Sequence, residues 1–596
     1  MKKIIFTALA IMLLQNTLCV ADDGGSWYPE DWTYGNIYVK EPNDKIALEK
    51  ELMIVEQSSK SSYDEKTNTR TKLHGNEVEA IFGFKNTTAQ SVVVPCAFPV
   101  VVSTQVAVKK DGFLSNYIEV GNGYSSKLEV LEVALGRKLQ FIDNDWEGED
   151  RLWGTTDATK NDLLALDKKL RTIPIAEYLS ELKSYKAKET LNPCQIVQDG
   201  KKIAVQTVGI ETSIEKHDEY TESLKETAYR QHNQVEVYTI KVVMHFFHEL
   251  TFKPNAASTL SVKYAIDAYK GGRSYLHEFI YDISTGGTWK GDIKSFVLLT
   301  DSSMDIKNSK TKFEITELGK ICNRTTTYLY CAENYKPQKD EYFSFKYDDS
   351  DFWECESLIF NRDGVQDFVS GVRASSELSG SYKISQDTEG CLDRDLVSST
   401  YEAKTSFDGN LLNGWVEGAK GDGVGEWIEF TLSKATLGPF ATNGLRRFGG
   451  RGEETEYYDS YGFDYGKNYL VYIKAGGVQK TWESNNRVKS TALGCFSKEK
   501  NDFETIAELQ FEDKCTELFA NPPDWLTQNT VKNPQLLKKG TYRMTINSVY
   551  KGKKWDDTVL GEVWFVPIED NAAKAILSDD FFKKPILEKI NQFLKK

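Results

Sequence analysis

Histidine is scarce in this chain, six residues in 596, and none lies beyond His277. No G-x-S-x-G motif occurs, so the sequence offers no nucleophile elbow for a serine hydrolase. His245 and His248 form the one close histidine pair, with Glu249 outside it. Zinc proteases need two His at i and i+4 on a helix with Glu between them. The adjoining Val242, Val243 and Met244 instead predict a strand, on which i and i+3 point to opposite faces. No C-x-x-C pair is present, which removes the common structural zinc sites. The glycine-rich run Gly418 to Gly425 is followed by a β-type run and closed by no Lys-Ser or Lys-Thr pair, so it is no phosphate-cradling loop. Beyond the first 21 residues no apolar run approaches the roughly 18 needed to span a bilayer. Positive charge is also short: 74 Lys and Arg stand against 88 Asp and Glu, a net charge of −14. That balance argues against nucleic acid or an anionic membrane surface as the main partner. Among so many carboxylates no Asp/Glu pair can be singled out as a glycosidase centre.

Aromatic residues are plentiful, with 30 Tyr, 30 Phe and 12 Trp, and they lean the chain towards β structure. Its length predicts two to four domains. Lys2 and Lys3, the apolar run Ile4 to Leu14, and Cys19-Val20-Ala21 read as a secretory signal peptide cleaved after Ala21. A lipoprotein reading would make Cys19 the anchor. The other eight cysteines suit disulfides in an exported chain, and Cys322 with Cys331 is the best local pair, clipping a hairpin across Arg324 to Tyr330. Alternation at Val78, Ala80, Phe82 and Phe84, and again at Leu260, Val262, Tyr264 and Ile266, predicts strands. Helical spacing at Ile175, Tyr178, Leu179 and Leu182, behind Thr172 and Pro174, predicts a helical insert.

We therefore divide the chain into a signal segment 1–21, a β-rich N-terminal region 22–305 with a helical insert at about 160–190, and a cysteine-containing connector 306–370. A β-sandwich 371–567 and an amphipathic helix 568–596 follow; in the last, Ile586, Leu587, Ile590, Phe593 and Leu594 share a face that docks on its own domain or on a partner.

The second domain carries landmarks in a fixed order: Arg373 to Leu378, Phe407 to Phe430, Gly476 to Lys480, Trp482 to Lys489, Val549 to Thr558 and Gly561 to Val563. In this arrangement it resembles the NADase-type glycan-binding module, a galactose-binding-like (jelly-roll) β-sandwich related to the discoidin domains. It departs from that pattern in about 20 extra residues around Cys391, in a Tyr-rich insertion at about 446–468, and in Gly476-Gly477-Val478 where the family has Asn-Gly-aromatic. Gly83 to Thr88 with Ala97 to Pro99, and later Thr251 to Pro254, Val262 to Tyr264 and Thr288 to Ile293, loosely resemble a β-rich family of unknown function in exported bacterial proteins.

The first resemblance implies glycan binding. A sugar site needs flat aromatic faces and planar polar groups, and Trp482, Asn485, Asn486 and Arg487 offer both within six residues. Arg373 and Glu417 are added by resemblance, whereas Trp415, Trp427 and Phe430 read as core. The Tyr-rich stretch Tyr457 to Tyr465 reads as a recognition loop or a flap over the sandwich. No cofactor is required, but discoidin-like sandwiches carry a structural calcium, for which Asp408, Asn410 and Glu562 are the matching ligands. Three readings stay open. The leading one is an exported bacterial carbohydrate-binding or adhesion protein recognising a glycan. The others are an exported hydrolase whose sandwich is a targeting module, and a cell-envelope structural protein that binds another protein.

Overall fold

The computed structural model describes residues 32–35, 38–39, 43–64, 69–109, 117–118, 141–143, 153–155, 170–181, 195–217, 235–268, 276–301, 303–322, 325–339, 341–348, 366–386, 395–409, 413–445, 457–458, 470–471, 482–515 and 529–594. The signal segment, Cys19, Asn410, Cys355, Cys391 and Gly476 to Lys480 lie outside them. The protein is mainly β, with several sheets and no barrel among the described residues.

Long strands build the N-terminal unit. β1 (Ile46–Asp64) and β2 (Thr69–Asn86) pair antiparallel along their length, as do β3 (Val92–Lys109) and β5 (Val235–Phe252). Between the latter two in sequence come a short helix, α1 (Ile175–Glu181), and β4 (Thr207–His217), the neighbour of β5. One sheet runs through Ser303–Lys307, Tyr342–Asp348, Leu276–Asp282, Trp32–Gly35, β3, β5, β4 and Leu170–Pro174. The other runs through Lys201–Ile203, Gln195–Gln198, β6 (Ala257–Ala268), β2, β1, β7 (Ile293–Thr300), β9 (Thr325–Tyr335) and β8 (Glu314–Cys322). The sheets face each other across one core that takes Met53 and Val55 from β1, Phe82 and Phe84 from β2, Phe98 from β3 and Phe246 from β5.

Both expected alternations are strands: Val78, Ala80, Phe82, Phe84, Leu260, Val262 and Tyr264 are all buried. Among the described residues the helix spans Ile175–Glu181, with Leu182 and the rest of the insert expected at about 160–190 lying largely outside them, and Thr172 and Pro174 belong to the strand before it rather than to its first turn. The connector expected at 306–370 needs correction. Ser303–Lys307, β8, β9 and Tyr342–Asp348 are members of the two N-terminal sheets, so a boundary at 305 cuts through this unit. The hairpin β8–β9 exists, but its register sets Cys331 opposite Glu314 and Cys322 opposite Thr325. Cys331 is accordingly a free buried thiol, pushed up to about 12 by burial and by Glu314. Cys96 and Cys495 are free as well.

The scattered N-terminal motifs meet at one end of the core. Phe84, Phe252 and Trp289 form a ring cluster, Phe84 lying 4.5 Å from Trp289 and 5.5 Å from Phe252. Asn86 is fully buried; its amide donates to Gln90 O, Phe252 O and Lys253 O, and its Oδ1 accepts from Thr88 N. These motifs form a packing knot that closes strand ends.

The C-terminal unit is one sheet folded over on itself. Its first half orders β10 (Val369–Ala374), β11 (Trp427–Leu432), β15 (Gly540–Tyr550), β13 (Asn486–Ser497) and β14 (Asp502–Gln510). Its second half orders β16 (Thr558–Ile568), β12 (Ala435–Asn443) and Gln535–Leu537. A short parallel contact of Asn486 with Thr558 and Arg487 with Val559 joins the halves. Between them lie Trp415, Ile428, Phe430, Leu493, Tyr542, Met544, Val563 and Phe565. Phe368 belongs to this core, and Gln366 bonds Val563 O and Phe565 N, so the unit begins before residue 371.

Several strands are apolar on both faces. Met53 and Val55 face the first core while Leu52 and Ile54 face away, and Val563 and Phe565 face the second core while Trp564 and Val566 face away. Continuous apolar runs are what strands covered on both sides require. The cover is the C-terminal segment, which forms two helices, α2 (Asp570–Ser578) and α3 (Asp580–Phe593). Ala572, Ile576, Phe582, Ile586, Ile590 and Phe593 pack against Leu52, Ile54, Val297 and Leu299 of one unit and Leu437, Phe440 and Trp564 of the other. The helices thus dock on both units at once. Polar contacts fix the register: Glu314 accepts from Ala572 N (2.9 Å) and Asn571 Nδ2 (2.8 Å), Lys574 pairs with Glu333, and Lys589 and Lys50 pair with Glu56 and Asp579.

Candidate functional site

The loop expected to hold a ligand is a closed structural knot. Trp482, Asn485, Asn486 and Arg487 are all buried. The Arg487 guanidinium lies 4.1 Å over the Trp482 ring, bonds both Asp513 oxygens (2.7 and 3.1 Å), and donates to Asn485 O at 3.0 Å. Trp482 Nε1 donates to Asn443 O, while Asn486 accepts from Gly552 N and donates to Asp556 O. These donors serve the protein's own backbone and the Asp513 carboxylate at the joint between the two half-sheets. Removing Arg487 would take its donors away from Asn485 O and from both oxygens of Asp513. Hydrogen bonds involving a charge contribute about 1.5–3 kcal/mol, so Arg487→Ala is expected to cost that much stability in chemical denaturation. A variant melting like the wild type would return the loop to the list of ligand candidates.

Glu417 is likewise internal. It is fully buried and accepts from Ala419 N (2.8 Å) and Thr558 N (3.0 Å). Gly423, with φ of +70°, passes so close that a Cβ would sit 2.7 Å from Glu417 Cγ. Burial holds the Glu417 carboxyl above its usual range, against the pull of those two N–H groups. This residue holds the glycine-rich loop 418–425 in shape.

Arg373 is different. Its side chain is 69% exposed on the outer face of the first half-sheet. The register aligns Arg373, Glu429, Arg543 and Gly494 across four strands. Glu429, whose side chain is only 3% exposed, takes Arg373 Nε on Oε2 (2.6 Å) and Arg543 Nε on Oε1 (2.7 Å). The Arg543 guanidinium carbon lies 4.4 Å from the Trp427 ring centre and 4.1 Å from that of Phe503. Gly494 has no side chain between Arg543 and Phe503; a Cβ there would stand 3.1 Å from Phe503 Cβ. Phe503 in turn meets Phe496, which is 37% exposed, at 5.4 Å. Trp427, expected in the core, is instead half-buried in this outward ridge, whereas Trp415 and Phe430 are core as expected. Strand alternation places Phe430 inward and Trp427 and Glu429 outward.

The proposed calcium ligands come together in part. Glu562 is fully buried, its Oε1 accepts from Gly409 N at 2.8 Å, and its Oε2 has no hydrogen-bond partner. Burial first, then the Asp408 charge, push its carboxyl well above the ordinary range. Asp408 accepts from Asn413 Nδ2 at 2.8 Å, and the buried Oδ1 of Asn413 has no partner. Two carboxylates with an amide oxygen, two of these oxygens unsatisfied, are the donor set of a hard cation, so the residues present fit calcium. Sequence reasoning missed Asn413, which stands in the Asn-Gly turn before Trp415. Among the described residues no group of three His, Cys, Asp or Glu side chains is arranged for a metal. His245 faces Glu211 at 3.6 Å, while His248 is buried against Phe246 O and held down to about 4 by burial, so that pair is split across β5. Of the Tyr-rich stretch, Tyr457–Tyr458 pairs with Leu470–Val471. No described helix is long and apolar enough to cross a membrane.

No family model matches the chain, and no curated protein matches it. Among solved structures it is similar to a Legionella pneumophila protein described as a putative nutrient binding protein, at 11% identity over 53% of this chain and 71% of that one, with a TM-score of 0.24. It is also similar to a Paenibacillus xanthan lyase, at 8% identity over 86% of this chain and 42% of that one, with a TM-score of 0.14. Likenesses this slight say nothing of fold or activity.

Proposed function

We propose that this is an exported carbohydrate-recognising protein, and that its C-terminal unit is a galactose-binding-like module of the NADase-associated type. The observation that carries this reading is the outward ridge of Trp427, Arg543, Phe503 and Phe496, flanked by Arg373 and by the Thr431 and Thr541 hydroxyls. Aromatic surface suits the C–H faces of sugars, and guanidinium and hydroxyl groups suit their hydroxyls. The intact chain on a glycan array tests it, because a 371–567 fragment would bare Trp564 and Phe440. Retention of at least one glycan is expected, weakened by Phe496→Ala at unchanged melting, since exposed substitutions stay within about 0.5 kcal/mol. If the wild type retains nothing, or the variant binds equally well, the reading falls.

The same reading assigns a structural calcium to Glu562, Asp408 and Asn413, where it would neutralise the buried carboxylates. Without it, the raised Glu562 carboxyl keeps a proton in the folded state that the unfolded chain loses near 4.5. Its contribution is therefore full below that value and lost as pH rises through the folded value. A cation replacing the proton reverses the loss. Calcium is expected to raise the melting temperature at neutral pH and much less in acid, and Glu562→Gln to remove both responses. A melting temperature indifferent to calcium and chelator at neutral pH would exclude the site.

A further inference from the structure

The charge on the outward ridge does not balance. Glu429 is the single carboxylate between two guanidiniums, met by Arg373 through Nε and Nη2 and by Arg543 through Nε and Nη2. Arginine stays charged at any accessible pH, so the trio carries one net positive charge. Glu429 is buried and both its oxygens are engaged, so it has nothing further to offer. The nearest other acid in sequence, Glu426, is turned to the hydroxyls of Ser375 and Ser376, both at 2.6 Å. Arg543 is held on both flanks by rings, whereas Arg373 is 69% exposed and its guanidinium lies 5.8 Å from the Trp427 ring. Nη1 of Arg373 makes no hydrogen bond among the described residues, and its fork is already oriented by Glu429 from behind. In a chain of net charge −14, a fixed and partly open guanidinium beside an aromatic ridge is a local exception.

We propose that this face binds an acidic glycan, with the carboxylate of a uronic acid residue on the open N–H groups of Arg373 and the sugar ring against Trp427. A planar carboxylate fits the guanidinium fork bidentately. Pre-orientation by Glu429 removes part of the ordering cost of the side chain. This inference rests on the carbohydrate reading above and adds the ligand class and the contact residue.

The test is titration calorimetry of the intact chain with polygalacturonate, alginate and hyaluronan, each beside its carboxyl-esterified form, and with dextran sulfate and neutral dextran. Binding to at least one uronate polymer is expected, lost on esterification and weakened by added salt. Arg373→Gln should weaken it roughly 10- to 150-fold, the range of a charge-assisted hydrogen bond. Arg373→Lys, which keeps the charge without the fork, should recover only part. Unchanged melting of both variants shows that Glu429 still holds Arg543. Equal binding of the acidic and esterified forms, or indifference to Arg373→Gln, overturns the acidic class and leaves the carbohydrate reading standing. Binding to dextran sulfate alone overturns the carboxylate in favour of a sulfate. Binding to none of these polymers overturns the inference; an empty glycan array is the separate result that removes the carbohydrate reading with it.

Discussion

Ending the chain after Glu569 is expected to make it aggregate. Helices α2 and α3 bury Ile576, Phe582, Ile586, Ile590 and Phe593, five large apolar side chains. At about 1.5–3 kcal/mol each, their burial amounts to roughly 10 kcal/mol, comparable with the whole stability of an ordinary domain. Their loss would also uncover Leu52, Ile54, Val297 and Leu299 on one unit and Leu437, Phe440 and Trp564 on the other, and leave Glu56 without its lysine. Contiguous exposed apolar patches of that kind drive association. Sedimentation and dye binding of the shortened chain check this. A monomer that melts like the intact protein would mean that the helices are ornament to the two units.

Trp415→Ala is expected to cost about 3–5 kcal/mol, the range for truncating a large buried aromatic. The ring is 1% exposed within the second core, and its Nε1 donates to Ser376 O at 2.8 Å. Its backbone N–H donates to Ser406 Oγ, which itself bonds Leu560 O, so one residue ties the segments around 376, 406 and 560 together. The variant would leave a cavity, an unpaired carbonyl and a loosened edge beneath the glycine-rich loop. A shift of the urea midpoint without a change of slope is the expected signature. Normal melting with lost binding would move Trp415 from the core to a site.

The sequence disclosed the β character, the alternation of the N-terminal strands and the apolar stripe of the last helix, because each is a local pattern. What it could not disclose is which partner covers a pattern. The stripe of Ile586, Ile590 and Phe593 is legible; that it faces strands some 530 residues earlier, as Lys589 faces Glu56, is not. The 306–370 stretch shows the same limit, since strand pairing is nonlocal and Tyr342–Asp348 pairs with Leu276–Asp282. The Trp482 to Arg487 loop shows a deeper ambiguity. An aromatic, two amides and a guanidinium are what a sugar site needs and also what a buried joint between half-sheets needs. Only the direction of the donors separates them, inward to Asn485 O and Asp513 here. Arg373 and Trp427 are the converse: their outward face follows from register with Glu429 and Arg543, which no single segment contains.

The position of the helices between the two units also sets an order of events during synthesis. The outer face of β1 is complete once residue 64 has been made, but its cover begins at Asp570. At about 5–20 residues per second, that interval is roughly 25 to 100 s. For all of it, Leu52 and Ile54, joined later by Val297 and Leu299, stay open to water and to other nascent chains. A chain built this way depends on something holding that face apart until residue 593 arrives, and slowed elongation should lower its yield more than that of a chain whose units close one after the other.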